Sequence, residues 1–291
     1  MLLRLRPIME LLRTLILAVV QGLTEFLPVS SDGHLVVVSA LFEAATGHKL
    51  DELLALEIML HAGTLAAVLI VFRKQILRLL TADRRVIGLL VVGTIPAAIF
   101  GIALKKLDKH FHWGILESPL IGGLGLIATG MILLMIRRSE TRTTADRSAA
   151  TDDDPGIAYP DLTYAQAFLI GCFQAVAVLP GVSRSGSTIA CSLALVGMKR
   201  TDAANFSFLL SIPAVGGAVF LQLLEFAREG SARGLPWSDM AIGAVVAMVV
   251  GLGALRWLLA LLRGGKLHYF AYYCIPLGIA VTAWQLLKTS L

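Results

Sequence analysis

Gln21-Gly22-Leu23-Thr24-Glu25-Phe26-Leu27-Pro28-Val29-Ser30-Ser31-Asp32-Gly33-His34 interrupts an apolar stretch that otherwise runs from residue 8 to residue 45. Pro28 lacks a backbone donor, and the Ser-Ser-Asp-Gly run behind it favours turns and caps over a continuing helix. In lipid, non-helical backbone survives only where it is buried in protein or lines a wet cavity. The break therefore decides the fold. It makes residues 8–28 and 34–45 the two arms of one re-entrant helical hairpin.

The same arrangement returns in the second half. Gln174 precedes Leu179-Pro180-Gly181-Val182-Ser183-Arg184-Ser185-Gly186, set between apolar segments 162–180 and 187–198. Gln21 and Gln174, Ser30 and Ser183, and Gly33 and Gly186 each lie 153 residues apart. Leu27-Pro28 and Leu179-Pro180 lie 152 apart, so one residue is inserted. A shorter echo joins Thr94-Ile95-Pro96 to Cys274-Ile275-Pro276. Broken segments in matching places point to a midplane site built from discontinuous helices. The expected plan is a single integral membrane domain. Repeat one covers about 1–137, a polar, solvated linker about 138–161, and repeat two about 162–291.

Six further segments, near 53–72, 86–104, 117–136, 203–226, 238–262 and 268–287, can each cross the hydrocarbon core. Of the 291 residues, 57% are hydrophobic and 15% charged, against roughly a quarter charged in a soluble domain. Mean hydropathy is +0.79. An ordinary cytosolic enzyme, a disordered chain and a disulfide scaffold are excluded. The net charge of +5 reads as loop bias, not as a nucleic-acid site. The expected fold is an all-α polytopic membrane protein with six transmembrane helices and two re-entrant helical hairpins in an inverted repeat. Eight plain spans are the alternative. If the hairpins enter from opposite faces, fourteen Lys and Arg lie on the face of loop 73–85 and ten on the other. The first face is then cytoplasmic, with Lys105, Lys106 and Lys109 as exceptions. Cys172, Cys191 and Cys274 lie in apolar stretches and read as packing. The run 8–20 contains Glu10 and Arg13 and reads as mature chain rather than a signal peptide.

Ionisable groups inside a membrane are costly and mark function. Six fall there: Glu25, Asp32, His34, Glu57, His61 and Arg184. If the hairpin tips meet, most of them share one cavity. Ser183-Arg184-Ser185-Gly186-Ser187-Thr188 opens a helix, and N–H groups at a helix start favour an anion. Arg184 adds a planar fork suited to phosphate oxygens. With Ser30 these residues form the expected phosphate-binding set; plain caps and a snorkelling arginine are the bland alternative. A carboxylate beside phosphates calls for a divalent cation between them, so Glu25 reads as a ligand of Mg²⁺ or Ca²⁺. Gln21, one turn earlier, offers a neutral oxygen. A protonated or Arg-paired Glu25 is the competing reading. His34 follows Gly33 and can reach the cavity to attack phosphorus or move a proton. Alternatively Ser31 is the nucleophile, activated by His34. Glu57 and His61, four apart on one helix, read as a supporting pair behind the site or as a plain buried pair.

These motifs resemble those of a known family. Gln21 to His34 is similar to its first signature, [E/Q]-G-x-T-E-F-L-P-[VI]-S-S-x-G-H. Pro180-Gly-Val-Ser183-Arg184-Ser185-Gly-Ser-Thr188 is similar to its second, P-G-x-S-R-S-G-x-T, and Asn205–Pro213 to a third. The family is the undecaprenyl-pyrophosphate phosphatases of bacteria, linked to bacitracin resistance, and the resemblance covers essentially the whole chain. It implies a plasma (inner) membrane enzyme that hydrolyses undecaprenyl diphosphate to the monophosphate and inorganic phosphate. The lipid carrier of peptidoglycan synthesis is thereby recycled. The resemblance also implies a site open to the periplasmic or outer side. It carries metal or acid–base work to Glu25, chemistry to Ser31 and His34, and phosphate holding to Ser183, Arg184 and Ser185. The chain departs from the pattern in four places. Gln21 stands where many members have Glu. Asp32 replaces a small Ser or Thr and is expected to restore the missing carboxylate at a metal site. Asn205, expected behind the site, stands where Glu is frequent, and Tyr273 where a Tyr-Arg pair often supplies a basic group.

Two functional classes compete: this phosphatase, and a transporter or polyprenyl-phosphate flippase without hydrolysis, since inverted repeats are a transporter architecture. Phosphate release separates them. A scaffold would leave Glu25, His34 and Arg184 without a purpose. The expected partners are undecaprenyl diphosphate and membrane lipids, with no nucleic acid. The oligomeric state stays open, a homodimer included.

Overall fold

The computed structural model describes residues 2–46, 53–145, 156–229 and 237–289. The chain forms α1 (Leu2–Thr24), α2 (Ser31–Thr46), α3 (Leu53–Val71), α4 (Arg73–Leu80), α5 (Arg84–Phe111) and α6 (Pro119–Ala145). The second half forms α7 (Tyr164–Val176), α8 (Arg184–Cys191), α9 (Arg200–Glu229), α10 (Trp237–Arg263) and α11 (Ala271–Thr289). Among the described residues, five stretches are long and apolar enough to cross a membrane: α5, α6 to Ile136, α9 to Leu224, α10, and Leu267–Lys288. The α3–α4 pair is apolar enough to make a sixth if it is taken as one span, but it is bent by 72°. Ile99, Met135, Val249 and Ile279 stand exposed on these helices. That is the ordinary face of a span in lipid, so the protein is a multi-pass membrane protein.

The elements follow the apolar segments with three differences. Loop 73–85 contains α4, because Ile76 and Leu79 pack inward while Arg73, Lys74 and Arg78 turn out. Buried Phe72 pins its corner, and Arg78 pairs with Asp83 at 3.1 Å. The polar stretch after residue 137 is not one solvated linker. It stays helical to Ala145, and its end is packed because it carries Ile157 and Tyr159. Ile157 bridges Met198, Tyr159 is buried, and Arg85 donates to the carbonyls of Pro160 and Leu162 at 2.6 Å each. The remainder, 146–155, lies outside the described residues. Lastly, α5 runs on to Phe111, beyond the apolar end near residue 104; Pro96 lies inside it, as Pro276 lies inside α11.

Small residues set the helix contacts, as is usual where backbones approach closely in lipid. α1 packs along α10 through Gly22 and Ala247, and α7 along α5 through Gly171 and Gly93. α6 packs along α11 through Gly123 and Gly278. α6 also forms a floor beneath the second break. A Cβ on Gly125 would strike the backbone of Pro180 and Gly181, and one on Gly181 would strike the carbonyl of Gly122. Thr129 Oγ1 donates to the Gly181 carbonyl and accepts the Ser183 N–H, both at 2.8 Å.

Gly181 has a φ of +84°, and Gly197 a φ of +76° with nothing within 4 Å of a Cβ. An alanine at either site carries a left-handed backbone penalty of about 1–2 kcal/mol. At Gly181, overpacking adds about 1–3 kcal/mol. Thermal unfolding in detergent is therefore expected to show Gly181→Ala clearly less stable than Gly197→Ala. Equal losses would contradict the tight floor.

Candidate active site

Both breaks end in the same device. Ser30 and Ser183 cap α2 and α8, each hydroxyl accepting the N–H three residues on. The distances are 3.3 Å to Gly33 and 3.1 Å to Gly186. The two glycines let the tips touch. A Cβ on Gly33 would meet the backbone of Gly181, and one on Gly186 would crowd Pro28. Ser185 Oγ donates to the Leu27 carbonyl at 3.3 Å. The tips of the two broken segments therefore meet.

Glu25 is the hub of that contact. Its Oε1 accepts from Arg184 Nη2 at 2.5 Å. Its Oε2 accepts from Ser31 Oγ at 2.6 Å and from Gln21 Nε2 at 3.0 Å. A buried carboxylate is tolerable only when paired and hydrogen-bonded, and three donors meet that need here. Glu25 is thus the Arg-paired carboxylate that the residues left as one alternative. The Ser31 hydroxyl donates to Glu25 and not to His34. Arg184 uses half of its fork: Nη1 is buried without a partner.

The serine-rich turn divides into two parts. Ser183 and Ser185 hydroxyls lie 3.2 Å apart, and the Ser187 hydroxyl is buried without a partner. First-turn N–H groups have no intrahelical acceptor. Thr188 is different. It donates back to the Arg184 carbonyl at 2.8 Å and meets Ser207 Oγ at 2.6 Å, so its only proton is engaged and it holds α8 rather than phosphate.

His34 lies on the other side of the break. Nδ1 is 2.7 Å from the Ser30 carbonyl and Nε2 is 2.8 Å from Tyr273 Oη. The two rings stack, 5.7 Å apart with 10° between planes. A carbonyl only accepts, so Nδ1 carries the proton and Nε2 the lone pair. Ser30, which aims that carbonyl, sits at a φ of +66°, uncommon for a residue with a side chain.

Glu57 and His61 do not pair through their side chains. The ring Nδ1 bonds the backbone carbonyl of Glu57 at 2.8 Å. Nε2 instead lies 3.5 Å from Asp32 Oδ1 and 3.9 Å from Glu25 Oε2, which brings His61 into the cluster. Asp32 turns toward His61, half exposed, and does not join Glu25 and Gln21. Asn205 stays out of the cluster. It is two residues from Ser207, off the face of α9 that carries Ser207, Ser211 and Val215. A small cleft runs from Glu25 and Arg184 between apolar walls of α3 and α9, among them Leu65, Val68 and Val215. Thr129, Ser207 and Tyr273 join the site without a sequence signal that says which group each meets. Thr129 shows only a hydroxyl inside an apolar span, Ser207 lies within the third motif, and Tyr273 stands at the familial Tyr-Arg position.

No three of the described His, Cys, Asp and Glu residues converge as a metal cage. One oxygen is open to a cation: Gln21 Oε1 is buried and has no partner, while the Nε2 of the same amide is the atom turned to Glu25. Mg²⁺ and Ca²⁺ take oxygen ligands, and Mg²⁺ in particular binds one or two protein groups and completes its shell with water and phosphate. Gln21 Oε1 and the Glu25 carboxylate are oxygens of that kind.

A family model described as bacitracin resistance protein BacA matches residues 14–280. An undecaprenyl-diphosphatase of Rhodopirellula baltica is 45% identical, covering 95% of this chain and 99% of its own length. One of Desulfatibacillum aliphaticivorans is 40% identical, covering 94% and 98%. Undecaprenyl-diphosphatase 4 of Bacillus cereus is 38% identical, covering 95% and 98%. The match spans both breaks and runs from within α1 to within α11, and on that ground the chain belongs to the bacitracin resistance protein BacA family.

Proposed function

We propose that this protein is an undecaprenyl-diphosphatase: it hydrolyses undecaprenyl diphosphate to undecaprenyl phosphate and inorganic phosphate. The observation that carries the reading is the Glu25–Arg184 pair, which joins the two breaks and leaves one guanidinium nitrogen free in a buried, hydroxyl-rich turn. The terminal phosphate binds Arg184 Nη1 and the start of α8, a ready anion site. The prenyl chain lies along the apolar walls of α3 and α9. Water attacks the terminal phosphorus in line with the bridging oxygen. Its proton passes to His34 Nε2, the lone-pair nitrogen, and the bond to the bridging oxygen breaks to release the lipid monophosphate. Arg184 holds the charge that builds on the transferring group. Ser31 and Gln21 keep Glu25 in place while Arg184 engages phosphate. Glu25 and Gln21 Oε1 would hold a divalent cation. Bound there, a cation would supply Lewis-acid neutralisation of the phosphate charge.

The product returns the lipid carrier to cell-wall synthesis. The protein works in the bacterial inner membrane with its site open to the outer side, an orientation supported by the Lys and Arg bias of its loops.

The test is phosphate release from undecaprenyl diphosphate by purified protein in detergent, with and without EDTA. Release is expected, falling to background with EDTA and returning with Mg²⁺ or Ca²⁺. No release by folded protein supplied with cation would remove the reading. Release indifferent to EDTA would remove the cation from it.

A further inference from the structure

Tyr273 is joined to His34 by chemistry that no other contact of that ring shares. The Ser30 carbonyl takes the Nδ1 proton, so Nε2 holds the one lone pair of the neutral imidazole. Tyr273 Oη occupies it at 2.8 Å, and the phenol lies parallel over the ring. The Ser30 side of His34 is buried in the first break, whereas Tyr273 is 49% exposed on α11. Tyr269 and Tyr272, on the same stretch, are exposed as well. The lone pair that the reaction needs is therefore capped, and the cap is a group that faces outward.

We infer that Tyr273 is a positioning residue that caps His34 Nε2 in the free protein and is displaced when the substrate headgroup arrives. The inference rests on His34 being the reacting imidazole. Two roles follow from one contact. In the resting state the hydroxyl and the stacked ring hold His34 in one tautomer and one plane. On binding, the Oη position is taken by the reacting oxygen, and the hydroxyl swings toward the open side of α11. The hydrogen bond is a cost that every substrate must meet before reaction, because it is broken on the way to the reactive complex.

The experiment uses the full chain, labelled with ¹⁵N-histidine, in detergent, with the His34 signals assigned by their loss in His34→Gln. Without ligand, wild type is expected to show protonated Nδ1 and a hydrogen-bonded Nε2. Tyr273→Phe, which retains the ring and the stacking, is expected to move Nε2 to the position of a free imine nitrogen. Addition of farnesyl methylenediphosphonate, a non-hydrolysable prenyl diphosphate, is expected to shift Nε2 in wild type. In turnover, Tyr273→Phe is expected to raise kcat/KM about five-fold, the factor a neutral hydrogen bond is worth, with kcat nearly unchanged. Identical Nε2 signals in wild type and Tyr273→Phe would overturn the cap. An Nε2 signal unmoved by the diphosphonate, or a kcat/KM that stays level or falls, would overturn the displacement. The resonance needs no turnover. A capped Nε2 in a protein that releases no phosphate would count against the proposed function and leave the Tyr273 contact standing.

Discussion

Arg184→Ala is expected to lower phosphate release about a thousand-fold, the upper range for losing a preorganised donor to a developing charge. The residue does two jobs at once. It closes the contact between the halves by holding Glu25 at 2.5 Å, and in the proposed function its unpartnered Nη1 takes the incoming phosphate. Its loss also strands Glu25, whose side chain is 5% exposed, and removing one partner of a buried ion pair costs about 3–5 kcal/mol. Stability and catalysis therefore fall together in the single variant and must be separated. Arg184→Ala combined with Glu25→Gln removes the stranded charge. The double variant is expected to regain most of the unfolding temperature of wild type while staying inactive. Arg184→Lys is expected to recover only part of the turnover, because an ammonium cannot hold carboxylate and phosphate in one planar fork. Full activity in the lysine variant would show that charge alone suffices.

His34→Ala is expected to reduce kcat by about 10² to 10⁴, the usual worth of a positioned proton acceptor. KM should change little, since the phosphate is held by Arg184 and the start of α8. An interaction made only on the way to the transition state lowers kcat and kcat/KM by the same factor. His34→Gln should behave alike, because an amide fills the space without a basic lone pair. If kcat in both variants stays within a factor of about ten of wild type, less than general-base loss predicts, the proton acceptor lies elsewhere. Glu25 acting through Ser31 is then the first candidate, given their 2.6 Å hydrogen bond.

The fold was largely legible because its signals are local. Apolar length marks the spans, and the Pro-Ser-Gly breaks mark where helices stop. Ser30 with Gly33 and Ser183 with Gly186 are caps written as spacing, and the structure reads them as caps. The site was legible as a list of residues and less so as a set of contacts. Glu25 and Arg184 are 159 positions apart, and nothing in either motif says which carboxylate the guanidinium takes. His61 looked like the partner of Glu57 because helical spacing is all that sequence offers. Its ring instead reaches across to another helix, toward Asp32 and Glu25. Thr188 looked like part of a phosphate turn, and only the third dimension shows its hydroxyl facing Ser207. Tyr273 stood out only as a departure from a familial Tyr-Arg pair, and its hydroxyl was invisible among the aromatic residues of a span. Packing at the end of the polar stretch was overlooked because Ile157 and Tyr159 are two apolar residues in a charged neighbourhood.

The left-handed backbone at Ser30 has a consequence for genetics. On its Nδ1 side His34 is oriented by a peptide carbonyl, set at an unusual dihedral, and not by a side chain. Replacing the serine by alanine strips the cap on α2 and leaves the carbonyl where it was. A survey of point mutants would score position 30 as a modest helix cap. Its larger contribution, the aim of the imidazole, would pass unrecorded, because the genetic code can change a side chain there but cannot delete a carbonyl.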